Sequence, residues 1–310
     1  EEALPRQYES MKLFVEAEIR KMGKKNLWIG PSLGDWLAMG KGIAWQAMHN
    51  NPVSNAFIVH DLKVISETAE RLGKKADADR YRRQLEATTK AYIEKFVSKK
   101  GIVAKDYQSA YIMALKFVLP EGELRELVKK NFAANIRKNG LQTGFFATEH
   151  LLPLLVEAGE TELAYDILLQ EGCPGWMYQI KCGATTTWER WDALKPDGTV
   201  NEEKMAGSGD NMVSFNHYAF GSVGEFYYQY ILGIKPQKPG FAELHFEPYP
   251  DRRLGGVSGS YLSRAGKIES SWKYEEDGCH ISLNTPVKSE VVLPNGQRET
   301  VEEGTYQWLC

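Results

Sequence analysis

No stretch of the sequence approaches the roughly 18 consecutive apolar residues of a membrane-spanning helix, so no membrane partner is expected. An excess of positive charge is also missing. Lysine and arginine number 38 against 41 aspartates and glutamates, a net charge of −3. Proteins that bind nucleic acid normally carry a basic patch, so that partner class is not expected. Cysteine is scarce, and Cys173, Cys182, Cys279 and Cys310 show no CxxC spacing. A zinc site is therefore not expected, and neither is any other metal or cofactor. Cys173 and Cys182 are close enough to bridge a loop or to remain two free thiols. No repeat of fixed period runs through the chain, which weakens a solenoid. No charged-then-apolar leader follows Glu1 and Glu2. The stretch EEALPRQYESMKLFVEAEIRK already reads as helix, as the interior of a longer protein would. The compartment stays open between bacterial periplasm, secretion and cytoplasm.

What is present is a large apolar supply, 43% of 310 residues, enough for a sizeable core. From residue 1 to about 232 it recurs at helical spacing. Over residues 53–72, Phe57, Leu62, Ile65, Ala69 and Leu72 form one stripe, and Gly73 follows as a stop. The same grain predicts helices over 76–97, 106–118, 121–138, 148–158, 161–170 and 217–232. Helices joined in pairs by short links suggest a helical toroid. After Gly233 the pattern changes. A proline-bearing linker, IKPQKPG, leads into short alternating runs with hairpin signals at Asp277-Gly278 and Asn295-Gly296. The expected division is 1–233 helical and 234–310 a small antiparallel β domain with Trp272, Tyr274 and Trp308 in its core.

Aromatic residues crowd one span with little helical period: Trp176, Tyr178, Trp188, Trp191, Phe215, Tyr218 and Phe220. Such a span either folds into a core or lines a pocket. Sugar rings suit a pocket of this kind, because indole packs against the C–H face while carboxylates take the hydroxyls. Within the span lies GATTTWERWD, residues 183–192, where Glu189 sits between two tryptophans. Loss of hydration against indole raises a carboxyl pKa, and a neighbouring cation such as Arg190 lowers it. The alternative is an ordinary Glu189–Arg190 ion pair at a helix start. In GPSLGDWLAMG, residues 30–40, Asp35 precedes Trp36, and in isolation Asp35 reads first as a helix N-cap. In SFNHYAFGSVGEF, residues 214–226, His217 opens a helix and offers a sugar-binding imidazole, or a satisfied core histidine. LQTGFFATEHLLPLL, residues 141–155, reads mostly as core. The acids Asp197, Glu202, Glu203 and Asp210 around a glycine-rich loop read as a solvated turn.

Together GDWL at 34–37, TGF at 143–145 with LLP at 151–153, GATTTWERWD at 183–192 and SFNHYA at 214–219 resemble the α-L-rhamnosidases of glycoside hydrolase family 78. That resemblance implies a mainly α fold, an (α/α)6 barrel followed by a small β-sandwich, and hydrolysis of terminal α-L-rhamnose with inversion. By position, Glu189 corresponds to the general base. Trp36 and His217 correspond to residues that touch the rhamnosyl ring, and Asp35 and Trp188 to the pocket wall. Inverting enzymes need a second carboxyl roughly 6.5–9.5 Å from the first. The family's arginine-and-acid motif that carries it is absent here, and Glu9, Glu16 and Glu18 lack its flanking residues. About eight candidate helices precede Gly233, fewer than six hairpins require. The barrel is therefore expected to be incomplete on its N-terminal side and completed by an upstream segment. CPGWMY at 173–178 and GKGIAWQAMHNNP at 40–52 depart from the family pattern, so the expected substrate is a rhamnosylated glycan or glycoside of unspecified aglycone. A non-catalytic glycan-binding protein and an (α/α)6 hydrolase of another sugar are the alternatives.

Overall fold

Stripes of apolar residues at helical spacing bury themselves by pairing. A computed structural model describes residues 3–202 and 213–310. Helix α1 (Ala3–Met22) lays Tyr8, Val15 and Met22 against Ile58, Leu62, Ile65 and Ala69 of α3 (Asn51–Arg71). Helix α4 (Lys75–Phe96) adds Ala78 and Tyr81 to the same core. The polar edge of that core is tied as well. Tyr8 donates to Asp77 at 2.7 Å and Tyr81 to Glu16 at 2.8 Å. Between them the chain makes the short helix α2 (Ile43–His49).

Further helical hairpins follow. Helix α5 (Gln108–Met113) runs into a wider turn of helix over 114–118 and is paired with α6 (Glu123–Asn139). Helix α7 (Phe145–Glu157) is paired with α8 (Thr161–Leu169) across a link in which Gly159 takes φ +77°. That left-handed position is one that glycine occupies without strain. Helix α9 (Trp176–Lys181) precedes an irregular stretch rich in bends. These elements belong to a compact unit of residues 1–220.

A second compact unit holds residues 221–310. The composition changes at Gly233, yet this unit begins earlier because the preceding helical turns are bonded to its sheet. The Trp272 indole donates to the Ile231 carbonyl at 2.7 Å and Ser270 to that of Leu232 at 2.6 Å. Those turns comprise 219–222, the short α10 (Val223–Phe226) and a wider turn at 227–231, where the sequence predicts one continuous helix from 217.

One sheet has the order β1 (Ile234–Pro236), β2 (Leu244–Phe246), β6 (Ser289–Val292), β7 (Arg298–Val301). The other has the order β3 (Gly256–Ser263), β4 (Gly266–Glu275), β5 (Gly278–Thr285), β8 (Gly304–Leu309). All ladders are antiparallel except β2–β6, which is parallel. Alternation buries Ile268, Ser270 and Trp272 of β4 and Cys279, Ile281 and Leu283 of β5 on one face. Trp272 is buried, while Tyr274 and Trp308 are half-buried. Both expected hairpin signals sit at turns, before β5 and between β6 and β7.

Candidate active site

Helix α7 starts without a local cap. Its N-cap position is Gly144, which has no side chain to accept the first free amides. Asp35, more than a hundred residues earlier, fills that role. Its Oδ1 accepts the amides of Phe146 (2.8 Å) and Ala147 (3.1 Å), and its Oδ2 accepts that of Gly144 (2.8 Å) and the Ser109 hydroxyl (2.5 Å). Asp35 is fully buried. Burial pushes its carboxyl above the usual range, and the four donors pull the other way. It caps a distant helix and not one of its own, since residues 35–37 are bends and turns.

This clamp sets the neighbouring aromatic pair. The Phe145 amide donates to the Trp36 carbonyl at 3.0 Å, and the Met39 amide to that of Gln142 at 3.2 Å. The approach is so close that a Cβ on Gly144 would lie 2.2 Å from the Trp36 oxygen. Only glycine fits there. Phe145 in turn stacks on His217, ring centroids 4.6 Å apart.

His217 does not start a helix. It lies in a loop whose backbone runs beside the Thr-rich part of the GATTTWERWD segment. The His217 amide donates to Thr187 O at 2.9 Å, the Glu189 amide to Ser214 O at 2.8 Å, and the Thr187 hydroxyl to His217 O at 2.5 Å. Thr186 also donates to the Phe215 carbonyl. The His217 Nδ1 accepts the Ala219 amide at 3.3 Å, which leaves the ring proton on Nε2.

Glu189 is 9% exposed. Among the described residues no hydrogen bond or ion pair reaches its carboxylate. The expected alternative, a pair with Arg190, does not form. Arg190 binds Asp192 through Nε–Oδ1 and a second nitrogen to Oδ2, both 3.0 Å, and Asn201 also donates to Asp192 at 2.8 Å.

Most of the aromatic span folds into a core. Trp176, Tyr178, Trp188, Trp191 and Phe220 are buried. Trp191 stacks on Phe220 at 3.8 Å and donates to Thr143 O at 2.9 Å, which fixes GATTTWERWD to the start of the α7 segment. Trp188 packs with Tyr178 and Ala193 and meets Phe215 edge-on. Phe215 and Tyr218 face outward.

A cavity of about 820 Å³ opens beside Trp36 and Phe145, walled also by Trp28 and Phe146 and carrying Glu18 and Asp61. Glu189 and His217 are not among the residues lining it. Sequence reasoning set Glu18 aside, but its environment is unusual. Burial, helped by nearby Asp61, pushes its carboxyl up to about 7, and its buried Oε2 has no hydrogen-bond partner. The available signal was an acid on the same helix face as Phe14 and Lys21, one turn to either side. Glu203 and Asp210 of the acidic loop lie outside the described residues, while Asp197 accepts Thr199 in an exposed turn. All four cysteines are free thiols.

Paired helical hairpins that set the His217 ring against Phe145, with the Glu189 segment hydrogen-bonded along the same loop, make a scaffold of the six-hairpin glycosidase class. Residues 1–231 match the family model described as bacterial alpha-L-rhamnosidase 6 hairpin glycosidase domain, and residues 233–307 that of the bacterial alpha-L-rhamnosidase C-terminal domain. An alpha-L-rhamnosidase of Alteromonas sp. (strain LOR) is 34% identical over 298 residues, covering 93% of this chain and 32% of that protein. One of Streptomyces avermitilis is 32% identical over 279 residues, covering 88% and 26%. The crystal structure of Streptomyces avermitilis alpha-L-rhamnosidase complexed with L-rhamnose superposes with a TM-score of 0.88 at 28% identity, covering 99% of this chain and 30% of that one. The native enzyme of Aspergillus terreus gives a TM-score of 0.87 at 28% identity, covering 98% and 36%. The chain belongs to the bacterial α-L-rhamnosidases, with the helical barrel and C-terminal β domain of glycoside hydrolase family 78. It spans about a third or less of the length of the curated relatives it matches.

Proposed function

We propose that these 310 residues are the base-bearing part of an inverting α-L-rhamnosidase, with 1–233 contributing to the catalytic barrel and 234–310 forming its β-sandwich. The observation that carries this reading is the lone Glu189 carboxylate beside the His217 loop, with its neighbouring guanidinium committed to Asp192. A base must keep its lone pairs free for the water it deprotonates. Trp36 and His217 contact the rhamnosyl ring, the indole against its apolar face and Nε2–H toward a hydroxyl. Asp35 and Trp188 shape the pocket from behind.

The general acid comes from outside this stretch, on the segment that completes the barrel. The apolar surface such a segment would cover is substantial. Phe14, Leu33 and Phe146 are exposed at the cavity that holds Trp36, and Leu13 and Ile29 are exposed next to its residues in sequence. The substrate is a rhamnosylated glycan or glycoside.

The decisive experiment follows an α-L-rhamnoside by NMR with the complete enzyme. First-formed β-L-rhamnose supports inversion, and first-formed α-L-rhamnose overturns it. Binding of rhamnose by calorimetry without any turnover would favour the glycan-binding alternative.

A further inference from the structure

Cys279 begins the inward-facing row of β5, and Cys310 follows β8. The two strands are antiparallel, with His280 opposite Leu309 and Ile281 opposite Trp308. Extending that register by one residue sets Cys279 opposite Cys310. The backbone bears this out: the Cys279 amide donates to Cys310 O at 2.8 Å and the Cys310 amide to Cys279 O at 3.0 Å. Two residues that exchange both amide bonds in an antiparallel ladder have Cα atoms about 5.5 Å apart, and their side chains leave the same face of the sheet. Disulfides span Cα separations of roughly 4.4–6.8 Å. The strands are also tightly apposed here, since a Cβ on Gly278 would lie 2.7 Å from Cys310 O.

We propose that Cys279 and Cys310 are an oxidisable pair that closes as a cross-strand disulfide by exchange with a small-molecule disulfide such as oxidised glutathione. The two thiols differ in a way that orders the steps. Cys279 is 3% exposed, whereas Cys310 is half-buried. Burial raises the Cys279 thiol pKa, with the neighbouring Cys310 adding to it and the Arg252 guanidinium opposing it. Arg252 stacks on Tyr274, which faces Cys279 across β4 and β5. The Cys310 thiolate attacks one sulfur of the glutathione disulfide, releasing the first glutathione and forming a mixed disulfide. The Cys279 thiolate then attacks the Cys310 sulfur and expels the second. The protein loses two electrons and two thiol protons, and one glutathione disulfide becomes two glutathiones.

Strand β8 lies at the edge of its sheet, beside β5 alone. A bond at this point pins that edge.

The test uses the complete enzyme, equilibrated in glutathione buffers of rising oxidised fraction, then quenched with iodoacetamide and mapped by mass spectrometry. The expected product is a Cys279–Cys310 peptide two hydrogens lighter than its parts, lost on dithiothreitol treatment and absent in Cys310→Ser. Cys173 and Cys182 report whether oxidation is general. In the oxidised protein, amide exchange over residues 304–309 slows by at least about tenfold, a shift that Cys310→Ser does not show. Alkylation of both Cys279 and Cys310 in fully oxidised buffer overturns the proposal. So does a Cys310 stalled as its glutathione adduct, or a link that forms only between molecules. Cys310→Ser alters a half-buried edge position, so its amide-exchange pattern in reducing buffer verifies that the fold is retained.

Discussion

Arg190 and Asp192 form a two-point ion pair, with both N–O distances 3.0 Å, and Glu189 is outside it. Three charged side chains within four residues are thus sorted into a fixed pair and a lone carboxylate. The sorting leaves the Glu189 carboxylate available for the role proposed for it. Under the proposed mechanism, replacing Glu189 with glutamine keeps the shape and removes the base. The expected result in the complete enzyme is a fall in kcat by a factor of about 10² to 10⁴ with an unchanged unfolding midpoint. A variant that keeps more than a tenth of the wild-type rate would remove Glu189 from the mechanism.

Glu18 has the properties of a proton donor, held near 7 in an aromatic cavity. If the acid lies upstream as proposed, Glu18→Gln in the complete enzyme leaves kcat within about threefold of wild type, far short of the factor an acid supplies. A loss of 10²-fold or more, together with disappearance of the alkaline limb of the pH–rate profile, would transfer the acid role to Glu18.

The Asp35 clamp predicts a large stability effect with a clear origin. Asp35→Ala strands three backbone amides and the Ser109 hydroxyl in a buried place. Each unsatisfied buried group costs about 1–3 kcal/mol, offset in part by relief of a buried charge. The net loss is expected to be about 3 kcal/mol or more in urea unfolding. A loss under about 1 kcal/mol would mean that the clamp contributes little.

His150 predicts acid sensitivity. Burial, with Lys116 and His60 nearby, lowers its pKa from 6.5 to about 4. The folded state therefore favours the neutral ring. The resulting stability is present above about 6.5 and is lost as pH falls toward 4. In His150→Gln that part of the acid slope should vanish. Urea midpoints of the two proteins measured at pH 7.5 and pH 5 should differ less at the lower pH; equal differences at both would refute the assignment.

Much of the architecture was legible because it rests on short-range rules. The apolar stripe over 53–72 became α3, and 76–97 became α4, each within two residues at either end. The resemblance of four motifs to one family was confirmed over the whole helical region. What sequence could not show were side-chain partnerships across distance. Asp35 read in isolation as the cap of its own helix, and its bonds run instead to the amides that open a helix near residue 145. A clue was present, since the helix after Gly144 has no serine, threonine or acid at its cap. The helix expected from His217 is three kinds of turn, and its end at Ile231 and Leu232 is bonded to a sheet that periodicity does not see.

The bond between Asp35 and Gly144 joins positions 109 residues apart. Trp36 and Phe145 therefore have no defined relationship until both ends of that span have been made and have met. Closing so long a loop is slow relative to forming the hairpins inside it. The juxtaposition of Trp36 and Phe145 is thus a long-range feature of the chain, expected to form after the local hairpins, and a truncation before residue 147 removes the amides that Asp35 holds.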